Sequence, residues 1–256
     1  MTKVISFLLY NFFMSNKLIK KIDVKYSEMD HNLALKPFSL LNFLQDIASD
    51  SAENLGFGYS YMSKHNYAWF LIKYRMEFND YPIGTYDLTL ITKPRGYNKL
   101  FAYRDFELLQ GEKLLGKVFS VWSIVDVNSR TTIPIANAIS NDSMLPYQKL
   151  ESDLSFSKIK PVQNVSLEKE FEVRYNDLDV NGHANNGNYI VWAFEPLSLE
   201  FKLNHKIKTL DMVFKKEAKY AETIVVQVEF LDENNTVHIL KNMNADELCL
   251  VQVEWI

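Results

Sequence analysis

Asp179, Asn181 and His183 stand at i, i+2 and i+4 in the segment Arg-Tyr-Asn-Asp-Leu-Asp-Val-Asn-Gly-His-Ala-Asn-Asn-Gly-Asn-Tyr, residues 174–189. No other part of the chain is as dense in groups able to move protons or bind a carbonyl. In an extended backbone that spacing puts all three side chains on one face, whereas a helix would swing the middle one away by about 200°. Gly182 and Gly187 give freedom for a bend. The amides where a helix starts, near residues 186–189, can stabilise negative charge on a carbonyl oxygen. This is a pattern suited to hydrolysis.

The same residue types also have a purely local explanation. Asp, Asn and Gly before a helix are favoured as caps, so Asn185 or Asn186 could simply bond the first helical amides with His183 a bystander. Both readings stay open on the residues alone. Asp177-x-Asp179-x-Asn181-Gly182 fits the first half of a calcium loop, but its twelfth position is Asn188 in place of Glu, and a strand precedes it. No second histidine or cysteine lies at ligand spacing from His183, so no metal is expected. Hydrolysis with neither metal nor serine motif needs a carboxylate or imidazole to activate water. Glu217 ends a predicted strand in Phe214-Lys215-Lys216-Glu217-Ala218, where spacing alone reads as an exposed charge in a Lys-Lys-Glu turn.

Which elements position these groups follows from the rest of the chain. Its 256 residues suit two domains of about 100–150 residues each, and 47% hydrophobic content supplies their cores. A net charge of −4 argues against bulk nucleic-acid binding, which is largely cationic neutralisation of phosphates. The single cysteine, Cys249, forbids an intrachain disulfide and suits a reducing cytosol. Residues 4–13 resemble a short signal core, but no small-residue cleavage site follows and the run is far shorter than a membrane span, so a cytoplasmic protein is expected, with Met14 as an alternative start.

Residues 21–26 read as a strand, and Pro37 opens a helix that Gly56 closes. That helix is apolar around most of its circumference, so it should be wrapped by a sheet. Strands over 67–78, 86–92, 100–109 and 114–127 follow, and residues 139–168 turn polar and irregular like a linker, with room for a short helix. Then the order repeats: strand 171–175, helix 188–198, and strands near 209–216, 223–231, 236–243 and 247–255. Tyr26, Asp30 and Asn32 fall on Tyr175, Asp179 and Asn181 at one offset of 149, whereas His183 falls on Ala34. We read a duplicated α+β unit, in each half an antiparallel sheet around a buried helix, with the full polar set in the second copy alone.

Residues 174–189 resemble the signature of the acyl-acyl-carrier-protein thioesterases, double hotdog enzymes of plants and bacteria. The stretches 95–106 (Arg-Gly-Tyr-Asn-Lys-Leu-Phe-Ala-Tyr-Arg-Asp-Phe) and 120–126 (Ser-Val-Trp-Ser-Ile-Val-Asp) resemble their first-domain strands, and 214–218 the second-domain strand that carries a catalytic glutamate. The resemblance implies a tandem hotdog: an acyl-binding domain at 15–138, a linker at 139–168 and a catalytic domain at 169–256. It implies a catalytic set of Asp179, Asn181, His183 and Glu217. Glu217 would activate water, Asn181 would position that water or the carbonyl, and Asp179 and His183 would orient the network. Many members have cysteine where this chain has Ala218, so direct water attack is expected, with no cofactor. Leu41, Phe43, Leu44, Met62, Trp69, Leu71 and Tyr74 are the expected acyl-chain lining, each equally at home in an ordinary core. Lys215, Lys216 and Lys219 are the expected docking surface for the acidic acyl carrier protein. Hydrolysis of acyl coenzyme A and a non-catalytic acyl-binding module are the rivals. A duplicated chain can satisfy within itself the pairing that single hotdogs need from a partner, and a homodimer remains compatible with it.

Overall fold

The computed structural model describes residues 16–84, 87–139, 156, 158–179 and 182–256. The first 15 residues, Asn181 and most of the expected linker therefore lie outside the described residues.

The first half opens with β1 (Leu18–Asp23), a 3-10 turn (Tyr26–Glu28) and the long helix α1 (Pro37–Asn54). Pro37 takes the first helical position, where its missing N–H costs nothing, and Gly56 just beyond the end sits at φ +82°, which a side chain would resist. Leu40, Leu41, Leu44 and Ile47 of α1 are buried. A short helix α2 (Tyr59–Lys64) leads into β2 (Tyr67–Phe78), β3 (Asp87–Asn98), β4 (Phe101–Gln110) and β5 (Lys113–Asp126), followed by β6 (Thr132–Ile133) and α3 (Ile135–Ile139).

The second half repeats this order with β7 (Leu167–Glu172), a 3-10 turn (Tyr175–Asp177), α4 (Asn186–Phe194), α5 (Leu199–Asn204), β8 (Ile207–Phe214), β9 (Thr223–Asp232), β10 (Asn235–Asn242) and β11 (Glu247–Trp255). The expected strands at 21–26 and 171–175 both lie further toward the N-terminus, because Tyr26 and Tyr175 instead begin 3-10 turns. The expected helix 188–198 divides in two. Pro196 offers no N–H to continue α4, and Ser198 caps α5 by accepting the Phe201 N–H at 3.1 Å.

All strands but the short β6 run in one antiparallel path, β1-β3-β4-β5-β2-β8-β11-β10-β9-β7, with β6 pairing β5. The order is a palindrome of the two halves, joined where β2 pairs β8 from Lys73↔Val213 to Glu77↔Thr209. The main core takes α1 residues, the inward side chains of β2 (Tyr74, Met76) and β8 (Leu210, Met212), and α4 (Tyr189, Ile190, Trp192) into one cluster. Among the described residues no helix is long and apolar enough to cross a membrane.

At the junction Arg75 faces Asp211 in register, with Nη1 2.7 Å from Oδ2, and its Nε meets Glu77 Oε1 at 2.7 Å. Burial pushes the Asp211 carboxyl above its ordinary value, and Arg75 pulls the other way. Arg75→Met would leave a largely buried carboxylate without its cation, so it should destabilise the protein by about 1–3 kcal/mol at pH 7. A carboxyl whose folded-state pKa is raised is favoured by protonation, so the loss should shrink as pH falls from 7 toward 5. Urea unfolding of wild type and variant at both pH values measures this; an equal loss at both would contradict it.

Candidate active site

The chain does not run extended from Asp179 to His183 as the alternating spacing suggested. It reverses. The Asp179 N–H donates to the His183 carbonyl at 2.7 Å, the Gly182 N–H to the Asp179 carbonyl at 3.0 Å, and Asp179 Oδ1 accepts the His183 N–H at 3.2 Å. Gly182 sits at φ +78°, which its lack of a Cβ permits. A carboxylate that captures nearby amides favours such a turn over an extended segment.

The turn is held from below by Asp177, which is buried and accepts the Arg174 N–H at 2.8 Å and the Arg174 guanidinium at 2.9 and 3.1 Å. The Asp177 carbonyl accepts the Asn185 N–H at 2.8 Å and the Asn188 side-chain amide at 2.7 Å. Asn185 is the cap of α4, accepting the Gly187 N–H at 2.8 Å, and its carbonyl takes the Asn188 N–H. The local capping reading thus holds for Asn185. It also removes two of the helix-start amides as free oxyanion donors and leaves that of Asn186 as the outermost. The Asn186 side chain meets Gln45 of α1 at 2.9 Å.

Main-chain bonds carry the second component to this turn. The Ala184 N–H donates to the Ala218 carbonyl at 3.1 Å, and His183 forms a bridge with Lys219. Glu217, on the loop after β8, is thereby placed so that its Oε1 lies 3.3 Å from His183 Nδ1, each side chain about one third exposed at 32%. Such a pair, reached by solvent, can take a proton from water and orient the acceptor while doing so. Tyr189 accepts the Ala218 N–H at 2.7 Å.

The first half builds the same frame with other side chains. Asp30 Oδ1 accepts the Ala34 N–H at 2.9 Å, the Leu35 N–H donates to the Pro82 carbonyl at 2.9 Å, and Ala34 bridges Ile83. Ala34 stands where His183 stands. Tyr81 stands where Glu217 stands, buried, with its hydroxyl donating to the Leu35 carbonyl at 2.8 Å.

Against this geometry, two family descriptions match the sequence: Acyl-ACP thioesterase N-terminal domain over residues 15–142 and Acyl-ACP thioesterase C-terminal domain over residues 160–256. This chain belongs to the acyl-ACP thioesterase family. An acyl-[acyl-carrier-protein] hydrolase of Cuphea viscosissima chloroplasts is 24% identical over 239 residues, 85% of this chain and 57% of that protein. The chain thus spans a little over half the length of such a relative. A solved acyl-ACP thioesterase of Bacteroides thetaiotaomicron superposes with a TM-score of 0.83 at 21% identity, covering 94% of this chain and 98% of that one. A 12:0-ACP thioesterase of Umbellularia californica gives 0.80 at 17% identity over 94% and 98%. The fold of this family member is the tandem hotdog.

Of the residues expected to meet acyl chain, Leu41, Leu44, Leu71 and Tyr74 are packed in the main core, with Phe43 against it. Met62 lies in a smaller cluster with Phe57, and Trp69 packs on that cluster. Only Trp69 of this set lines an open recess, together with Ala48, Ser49, Ala52, Phe57, Arg104 and Trp122. Ala48, Ser49 and Ala52 are small residues on one side of α1, a spacing that could have been read as room left beside a helix. Arg104 is buried and donates to Ser51 Oγ at 2.9 Å and Thr92 Oγ1 at 3.2 Å. Of the expected docking lysines, Lys215 pairs with Glu247 and Lys216 with Asp246, so much of their charge is balanced locally. Lys219 has no ion pair among the described residues. Among the described residues no group of three or more His, Cys, Asp or Glu side chains is arranged to hold a metal ion.

The first turn of α4 lies tight on α1. A Cβ on Gly187 would come 2.9 Å from Phe38 and 3.0 Å from Asn42 Oδ1. Gly187→Ala should therefore force the two helices apart and cost about 1–3 kcal/mol in urea unfolding. A variant as stable as wild type would show that the contact yields freely.

Proposed function

We propose that this chain hydrolyses the thioester of a fatty acyl group on acyl carrier protein, giving free fatty acid and the carrier thiol. The observation that carries the proposal is the 3.3 Å approach of His183 to Glu217 beside the start of α4, in a member of the acyl-ACP thioesterase family. In the proposed reaction the Glu217 carboxylate takes one proton from water as the water oxygen attacks the thioester carbon, and the carbonyl electron pair moves onto oxygen as an oxyanion. Collapse breaks the C–S bond, and the proton held by Glu217 passes to the departing sulfur. His183 holds the carboxylate in orientation, and Asp179 shapes the turn that presents His183. Asn181 is assigned to position the water or the carbonyl, and the Asn186 amide is the proposed helix-start donor to the oxyanion. Position 218 is alanine, and the one thiol, Cys249, is fully buried and pushed up by that burial, so the proposal needs no covalent intermediate.

In the same proposal the acyl chain lies in the 15–138 part and the chemistry in 169–256, with 139–168 joining them. Phe38, Asn42 and Gln45 meet the start of α4, and the same α1 stripe continues to Ser49 and Ala52 at the recess, about 10 Å beyond Gln45 by helical rise. Carrier docking then centres on Lys219, with Lys215 and Lys216 as partly neutralised neighbours. A reducing compartment such as the cytosol suits the lone thiol.

Thiol release from matched acyl carrier protein and acyl coenzyme A substrates tests the reading. The carrier-bound ester should be the better substrate; the reverse order would transfer the proposal to coenzyme A esters. Glu217→Gln should lower kcat by at least about 100-fold with the melting temperature unchanged, since general-base groups contribute on the order of 10²–10⁴. Near wild-type turnover in that variant would remove Glu217 from the mechanism.

A further inference from the structure

We propose that Tyr189 is a positioning residue that holds Glu217 against His183. The inference rests on the hydrolytic reading above. The Tyr189 hydroxyl accepts the Ala218 N–H at 2.7 Å and donates to the Lys216 carbonyl at 3.4 Å, so it grips the backbone on both sides of Glu217. Burial pushes the phenol well above its ordinary value, which keeps the proton on the oxygen and preserves the donor half of the grip. The ring is held in turn. Phe214 meets it edge-on at 5.5 Å and Trp192 packs at 5.3 Å, so the hydroxyl has little freedom to swing away.

The duplicated half separates this role from ordinary stabilisation of the fold. There the turn, the amide-to-carbonyl bond from Leu35 to Pro82 and the bridge from Ala34 to Ile83 all form. Yet the place of Tyr189, at the offset of 149, is Leu40, which has no hydroxyl. The frame therefore closes without the grip. The grip occurs in the half where a carboxylate must be held at a set distance from an imidazole, and is missing from the half where Tyr81 and Ala34 take those places. Glu217 sits on a loop beyond the last strand residue, Phe214, and is one third exposed, so without restraint at its backbone its carboxylate would sample many positions. Misplacement of a reacting group by about 1 Å can cost on the order of 10²-fold in rate.

Tyr189→Phe removes one oxygen and keeps the ring. Kinetics on the best acyl thioester of the wild type should show kcat reduced about 10- to 100-fold with KM within twofold. In a Glu217→Gln background the same change should have no further effect on the residual rate. A crystal structure of Tyr189→Phe should show the His183 Nδ1 to Glu217 Oε1 separation lengthened beyond hydrogen-bonding reach, a readout that does not depend on turnover. Unchanged kcat with an unchanged separation would overturn the proposal, as would an equal fold-loss in both backgrounds. A variant that fails to fold would place the hydroxyl in the frame itself and overturn it equally. If Glu217→Gln alone keeps wild-type turnover, the hydrolytic roles fail, and the crystallographic separation still decides whether Tyr189 sets the pair.

Discussion

The hydrogen bond from the Ala184 amide to the Ala218 carbonyl joins two segments more than thirty residues apart, and the approach of Glu217 to His183 depends on it. On one side is a turn shaped by Asp179 and carrying His183; on the other is the loop that carries Glu217. A main-chain bond between neighbours of both groups brings the two segments together, and the imidazole and carboxylate meet at 3.3 Å without either being fully buried. The first half makes the corresponding bond from Leu35 to Pro82 and fills the frame with a methyl and a phenol. One backbone device thus serves twice, and side chains decide which copy can move a proton.

The sheet and the two long helices explain why that device is stiff. The strands of both halves form one path through the β2–β8 pairing, so neither half has a free central edge, and Arg75 and Asp211 close the seam with a largely buried ion pair. Helix α4 starts against α1 with no room for even a methyl at Gly187. The start of α4, with its cap at Asn185, therefore packs directly on the first half. The recess beside Trp69, Trp122 and the small residues of α1 lies along the same helix that meets the start of α4. Charge around the site is more balanced than a row of lysines suggests, since Asp246 and Glu247 answer Lys216 and Lys215.

Much of this was legible in the residues. The helix from Pro37 to just before Gly56 announced itself through its cap chemistry and its apolar circumference, and the strand at 67–78 through its residue types. The offset of 149 was visible through the turn because the paired tyrosines and aspartates recur there, and both turns fold alike. It failed further on. Helix α1 and strand β2 are both longer than their counterparts α4 and β8, so Tyr81 and Glu217 are related by 136 residues instead, and nothing local ties them. Glu217 by itself reads as an exposed charge; its approach to His183 is a tertiary fact, and only the family resemblance brought the residue forward. The extended reading of Asp179 to His183 failed because the aspartate side chain competes for the very amides that an extended strand would leave free. The recess was not legible for another reason. Leu41, Leu44, Leu71 and Tyr74 are as apolar as any tunnel lining, and which side of a buried helix faces packed strands and which faces space is set by the assembled sheet.

In the proposed reaction His183 and Glu217 form one chemical unit, and a double-mutant cycle reads that directly. Turnover of an acyl carrier protein thioester should be measured for wild type, His183→Ala, Glu217→Gln and the combined variant under saturating substrate. Groups that act as a unit lose most of their effect with the first removal. The combined variant should therefore be about as slow as the slower single variant. Losses that multiply, so that the double variant is slower than either single by the full product, would mean that the two residues act independently and that the 3.3 Å contact is not the heart of the site.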